Sequence, residues 1–268
     1  MTNVQVETVK MHGVEMDYCR FGQGGRNLVI IPGLSVQSIM PLAEMIADAY
    51  GELTEDFTVY VFDRRKELPE GYRIADAAGE IADAVCELNL GAVDLFGTSQ
   101  GGMIAMKLTI DHPELVHRLV IGSSAPAIQA GYAGCFEEWR RLAVQGDAEK
   151  LYLAFGEKVY TPEVFAQLRQ MFINSAKTVT PGELARFVIL LDCMKGMDLS
   201  EELAGITCPV LVIGSEDDNV LGVEASKQIF HGLKDQPENE LYIYNGYGHA
   251  AYDCAPDYKT RIHRFLIG

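Results

Sequence analysis

Short apolar runs, each separated from the next by residues of helical periodicity, constrain the fold of this chain more than any other feature. Asn27–Ile31, Phe57–Phe62, Ala92–Phe96, Leu119–Ile121, Val210–Ile213 and Glu240–Tyr244 read as strands. Most of them lack the polar-apolar alternation of a strand with one wet face, so both faces must be covered. Between them lie helical segments at Ile39–Tyr50, at Ile74 to Leu88 and after residue 99. The helix after residue 99 is ended by Asp111-His112-Pro113, and two more come later at Glu224–Leu233 and Tyr258–Ile267. In the segment from Ile74, the residues Ile74, Ala77, Ala78, Ile81, Val85 and Leu88 share one face at the 3.6-residue period. Repeated strand-helix units of this kind form a mostly parallel sheet flanked by helices. The first 22 residues differ, alternating like a β-hairpin turning near His12-Gly13.

Residues 127–205 interrupt the rhythm. They hold no convincing buried strand but four helical segments: Phe136–Val144, Ala148–Val159, one opened by Thr161-Pro162, and one opened by the capping box Thr180-Pro181-Gly182-Glu183. This block is expected to be a helical insertion lying over the sheet, dividing a core of residues 1–126 and 206–268. Its aromatic residues Trp139, Tyr152 and Phe155 are candidates for a substrate pocket, against the plainer alternative that they fill the insertion's own core.

Composition excludes several functions. The 268 residues carry a formal net charge of -16, and no basic cluster exceeds Arg64-Arg65-Lys66, which disfavours nucleic acid and anionic membrane as partners. No apolar run reaches membrane-spanning length, and the N-terminal Met1-Thr2-Asn3-Val4-Gln5-Val6-Glu7 lacks the charged and apolar regions of a secretory leader, so a cytoplasmic location is expected. Six cysteines, Cys19, Cys86, Cys135, Cys193, Cys208 and Cys254, show no metal-ligand spacing and read as small core residues in a reducing compartment. No cofactor or metal is expected.

One junction carries chemistry. Leu95-Phe96-Gly97-Thr98-Ser99-Gln100-Gly101-Gly102-Met103 places a hydroxyl where a buried strand passes into a helix, with Gly97 and Gly101 two residues to either side. Such glycines let strand and helix approach closely around a strained serine, the arrangement of a nucleophile elbow. A serine hydroxyl needs a base to take its proton, normally an imidazole held by a carboxylate. Of six histidines, His249 alone follows the last strand in a glycine-rich loop, Gly246-Tyr247-Gly248-His249, from which it can reach across the sheet edge. The acid is expected in Gly214-Ser215-Glu216-Asp217-Asp218-Asn219, beyond the strand at 210–213. Asp217 is chosen there, with Asp218 as the alternative. Two backbone amides must meet the oxyanion. Gln100 N–H opens the helix after Ser99, and Leu34 N–H follows Pro32-Gly33 after the strand at 27–31.

With Pro32-Gly33, Gly97-Thr98-Ser99-Gln100-Gly101-Gly102, Gly214-x-x-Asp217 and Gly248-His249 in this order, the chain resembles the α/β-hydrolase superfamily over nearly its whole length. The resemblance implies an eight-stranded sheet with strand two antiparallel, an all-helical cap inserted after strand six, and a Ser99-His249-Asp217 triad. One departure is Pro32-Gly33 where many members have His-Gly. The activity expected is that of a serine hydrolase of carboxylic esters, and the mostly apolar inserted block with no obvious basic cluster favours a small or medium, uncharged substrate. The same triad also serves thioesterases, lactonases and carbon-carbon bond hydrolases or lyases, and a non-catalytic member would bind a small molecule only.

Overall fold

The computed structural model describes residues 4–268. Residues 1–3, part of the segment read as lacking a leader, lie outside them. The hairpin forms as expected: β1 (Gln5–Met11) and β2 (Val14–Phe21) pair antiparallel around His12 and Gly13, whose φ angles of 46° and 84° match the twist of a two-residue turn. The remaining strands are β3 (Arg26–Ile31), β4 (Phe57–Arg65), β5 (Val93–Thr98), β6 (Val116–Gly122), β7 (Val210–Ser215) and β8 (Glu240–Tyr244). They join one eight-stranded sheet in the order β1-β2-β4-β3-β5-β6-β7-β8. All neighbours from β4 onward pair in parallel, and β2 alone runs against the rest.

The apolar strands bury both faces. Along β3, Leu28 and Ile30 enter one core while Val29 and Ile31 enter the other. Val59 and Val61 of β4 likewise part from Tyr60 and Phe62. One face is covered by α2 (Ile74–Glu87), α3 (Gln100–Asp111) and α8 (Val223–Gly232), the other by α1 (Ala43–Ala49) and α10 (Tyr258–Ile267). The helix expected over Ile39–Tyr50 is shorter. A 3₁₀ turn at Met40–Leu42, built around Pro41, precedes α1, and a second at Gly51–Leu53 follows it.

Between β6 and β7 the chain forms α4 (Ala133–Gln145), α5 (Ala148–Val159), α6 (Pro162–Ala176) and α7 (Pro181–Asp192). Their limits are set by local chemistry. Asp147 caps α5 by accepting from Lys150 N at 3.1 Å, Thr180 and Glu183 close a reciprocal capping box on α7, and Gly146 ends α4 in the left-handed region. The insertion returns to its point of departure, where Ala127 bridges Asp198 and Leu199 N–H donates to Pro126 O at 2.9 Å. Among the described residues no helix is long and apolar enough to cross a membrane. All six cysteines are free. Cys19 and Cys193 are core residues, whereas Cys86 is exposed and the other three are half-buried, which corrects the reading of all six as core.

Candidate active site

Ser99 lies between the last residue of β5 and the first of α3, with φ 51° and ψ −122°. That conformation is costly for a side chain with a Cβ and persists only where surrounding contacts hold it. Here Ser99 N–H donates to Gly122 O at 2.8 Å, continuing the β5–β6 ladder, while Ser99 O accepts from Gly102 N and from Ser124 Oγ, the latter at 2.8 Å. The flanking glycines are sterically required. A Cβ on Gly97 would fall 2.4 Å from Gly101 O, and one on Gly101 would fall 2.0 Å from Ile31 O. Gly33 serves the same closeness from the β3 side, since its Cβ would lie 3.1 Å from that of Ser99.

His249 is carried by the loop after β8, which is bent at Gly246 (φ 84°) and Gly248 (φ 65°) and tied to the end of α5 by Ala250 N–H donating to Val159 O at 3.0 Å. A short helix, α9 (Ala251–Cys254), follows it. The imidazole is buried, and its Nδ1 lies 2.9 Å from Asp218 Oδ2. The other oxygen, Asp218 Oδ1, accepts from Val220 N at 2.8 Å and Leu221 N at 3.0 Å. Burial pushes the Asp218 carboxyl upward, but the His249 imidazole beside it and these hydrogen bonds outweigh burial and hold it below the usual carboxylate range. An ionised carboxylate can only accept, so in the neutral imidazole the bond places the proton on Nδ1 and the lone pair on Nε2.

Asp217, the acid chosen from the sequence, is therefore not the partner of His249. A turn closed by Asp218 N–H donating to Ser215 O (3.2 Å) puts Glu216 and Asp217 on its exposed outer corner and returns Asp218 inward. Counting from Gly214 misplaced the turn by one residue, because β7 runs on through Ser215, which pairs with Tyr244. Asp217 instead accepts from Gly246 N–H, steadying the loop that carries His249.

Ser99 and His249 face one cavity of about 20 Å³, room for roughly one water. Gly33 and Leu34 line it from the β3 loop, and Phe136, Trp139, Phe155, Val159 and Met194 from the insertion and its end. Trp139 is wedged between Phe136 and Phe155, with ring centroids 5.3 and 4.6 Å away. No Asp, Glu, Lys or Arg side chain borders it. Tyr152 does not reach it. Its hydroxyl donates to Gln37 Oε1 at 2.8 Å, and Gln37 Nε2 donates to Glu183 Oε1 at 3.2 Å, joining the loop after β3 to α5 and α7. Sequence reasoning missed Phe136, Val159 and Met194, whose periodicity marks them only as apolar. It also missed Tyr252, which stands three residues after His249 and lines the same cavity. A larger, open groove of about 500 Å³ between Tyr72, Arg73, Ile189 and Lys195 touches neither Ser99 nor His249. Among the described residues no three His, Cys, Asp or Glu side chains cluster as metal ligands.

Of the two residues read as oxyanion donors, Gln100 directly follows Ser99 and Leu34 lines the cavity that Ser99 also lines. Gln100 is the first residue of α3, so its N–H has no carbonyl one turn back inside the helix.

Known proteins resemble this chain in sequence or in fold. A protein of Serratia proteamaculans, provisionally assigned as the carbamate hydrolase RutD, is 28% identical over 218 residues, covering 78% of this chain and 80% of its own. MGS-M2, an alpha/beta hydrolase enzyme from a Medee basin deep-sea metagenome library, superposes with a TM-score of 0.86 at 16% identity over 98% of both chains. The 2-hydroxy-6-oxo-6-phenylhexa-2,4-dienoate hydrolase of Rhodococcus sp. strain RHA1 gives 0.82 at 17% identity over 100% of both. The alpha/beta hydrolase family model matches residues 28–258, from the first parallel strand to the closing helix, and the chain belongs to that family.

Proposed function

We propose that the protein is a serine hydrolase of small, uncharged carboxylic esters, acting through an acyl-enzyme on Ser99. The observation that carries this reading is the pairing of Asp218 with His249 Nδ1, which leaves the Nε2 lone pair available in the cavity that Ser99 also lines. His249 takes the Ser99 proton as the oxygen attacks the ester carbonyl, and the backbone amides of Leu34 and Gln100 hold the oxygen that becomes negative. His249 then returns the proton to the leaving alcohol, and water repeats the sequence on the acyl group. Asp218 holds the tautomer and balances the imidazolium without itself being protonated.

The apolar wall supports a neutral substrate, because a carboxylate or ammonium buried against Trp139, Phe155 and Met194 would lose its hydration with no partner in return. The small cavity supports a short acyl chain, and admitting even that requires the aromatic side chains of α4 and α5 to give way. Six free thiols and the acidic charge support action in a reducing compartment such as the cytoplasm.

The test is a turnover panel: p-nitrophenyl esters from acetate to octanoate, a matched thioester, a neutral aryl carbamate and a vinylogous diketone. Short-chain esters should give the highest kcat/KM, falling as the chain lengthens beyond four carbons. Cleavage of the diketone with no ester turned over would replace this reading with carbon-carbon bond hydrolysis. Preference for the carbamate would extend to this chain the activity assigned to its Serratia relative.

A further inference from the structure

Arg64, the second-last residue of β4, is 6% exposed, and among the described residues no carboxylate oxygen lies within 4 Å of its guanidinium nitrogens. The neighbouring Asp63 spends its carboxylate elsewhere, accepting from Arg64's own backbone N–H at 2.7 Å and facing Arg186 Nη2 at 3.4 Å. Burial holds the Arg64 guanidinium below its ordinary value, and its Nε has no hydrogen-bond partner. A cation sunk in a core without a counter-ion is costly, and a methionine of similar length would pack there at less expense. Packing alone gives no reason for an arginine at this position.

Its one well-used nitrogen does something packing cannot. Nη2 donates to Pro32 O at 2.7 Å and to Gln100 Oε1 at 3.4 Å. Pro32 O belongs to the peptide unit that enters Gly33-Leu34, and Gln100 is the residue after Ser99. The two expected oxyanion donors thus come from separate segments, the loop after β3 and the first residue of α3, and both segments are bonded to one guanidinium nitrogen. Gln100 carries the link further, since its Nε2 donates to Leu190 O of α7 at 2.7 Å and lies 3.6 Å from Cys193 Sγ. The chain of contacts runs from the β3 loop through Arg64 and the elbow into the inserted helices.

We propose that Arg64 is a positioning residue, fixing the Leu34 and Gln100 backbone amides at the separation an acyl oxyanion requires; the role rests on the acyl-transfer reading above. Misplacement of these donors is felt where charge develops on the carbonyl oxygen and little in ground-state binding.

The test compares wild type, Arg64→Met and Arg64→Lys for kcat and KM on p-nitrophenyl butyrate and for inhibition by an alkyl trifluoromethyl ketone, whose serine adduct carries the oxyanion. Removing a single oxyanion donor elsewhere costs on the order of 100-fold in kcat. Arg64→Met should lower kcat by about 30- to 100-fold and weaken the ketone by a similar factor, with KM within about threefold. Arg64→Lys keeps the charge but has a single nitrogen that ends one atom short of the Nη2 position, and should lose about tenfold in the same two quantities. If the methionine variant fails to fold, the lysine comparison decides alone. Unchanged ketone affinity in a folded variant, or KM rising as much as kcat falls, overturns the proposal. A wild-type enzyme that neither turns over the ester nor forms the ketone adduct overturns the acyl-transfer reading instead, and the Arg64 role with it.

Discussion

Replacing Asp218 by asparagine probes the polar geometry of the site without altering its shape. Asp218 accepts on both sides, from the Val220 and Leu221 amides on Oδ1 and from His249 Nδ1–H on Oδ2. An asparagine in the same place has one acceptor and one donor. If its carbonyl keeps the two backbone amides, its NH₂ faces Nδ1, which must then become the acceptor. The imidazole proton moves to Nε2, and His249 can no longer take the Ser99 proton. The corresponding aspartate-to-asparagine change in chymotrypsin-like proteases fixes the wrong tautomer and costs about 10⁴ in kcat, or about 5.5 kcal/mol of transition-state stabilisation. The same fall is expected here. Asp217→Asn should change kcat by less than about threefold, because the exposed side chain keeps an oxygen for Gly246 N–H. Initial rates of p-nitrophenyl butyrate hydrolysis by the two variants, with circular dichroism to confirm folding, check both. Asp218→Asn within tenfold of wild type, or Asp217→Asn as damaged as Asp218→Asn, refutes the reasoning.

Three further outcomes are set by the geometry. Gly101→Ala places a Cβ about 2.0 Å from Ile31 O, so the elbow must open or the chain fails to fold; a loss of more than about 3 kcal/mol in urea unfolding is expected, and a loss under about 1 would mean that the contact is slack. Phe155→Ala removes part of the cavity wall: stability should fall by about 3 kcal/mol while kcat/KM for octanoate rises relative to acetate, and an unchanged chain-length profile would show that this wall does not limit the acyl group. The third outcome concerns pH. The folded Asp218 carboxyl lies below its unfolded value near 4, so its contribution is complete above that value and is lost as pH falls through the folded one. The stability gap between wild type and Asp218→Asn should therefore narrow from pH 5 to pH 3 in chemical denaturation, and a widening gap would contradict the sign.

Apolar periodicity made the sheet and its helices legible, because a strand buried on both faces has few polar residues and a helix on that sheet shows its stripe. The elbow was legible for a related reason: a Cβ on Gly97 or Gly101 would come within 2.0 to 2.4 Å of a backbone oxygen, and such closeness leaves a mark in any sequence that makes it. The choice between Asp217 and Asp218 was not legible. It depends on where β7 ends, and a run of Glu216, Asp217 and Asp218 gives no hint of which carboxylate a four-residue turn sends inward. Tyr152 failed similarly, since one aromatic on α5 meets the cavity and another three residues earlier meets Gln37, a difference of about 60° around a helix at 3.6 residues per turn. Arg64 gave no signal at all, being one of three adjacent basic residues with nothing to mark it as the buried one.

The chemistry proposed for this site depends above all on Ser99 as the attacking group. Intact-protein and peptide mass spectrometry after treatment with an alkyl fluorophosphonate should show one adduct, on the peptide holding Ser99, with loss of ester turnover in proportion to labelling and neither labelling nor turnover in Ser99→Ala. An adduct on another residue, or a Ser99→Ala protein that hydrolyses p-nitrophenyl butyrate at the wild-type rate, would contradict it.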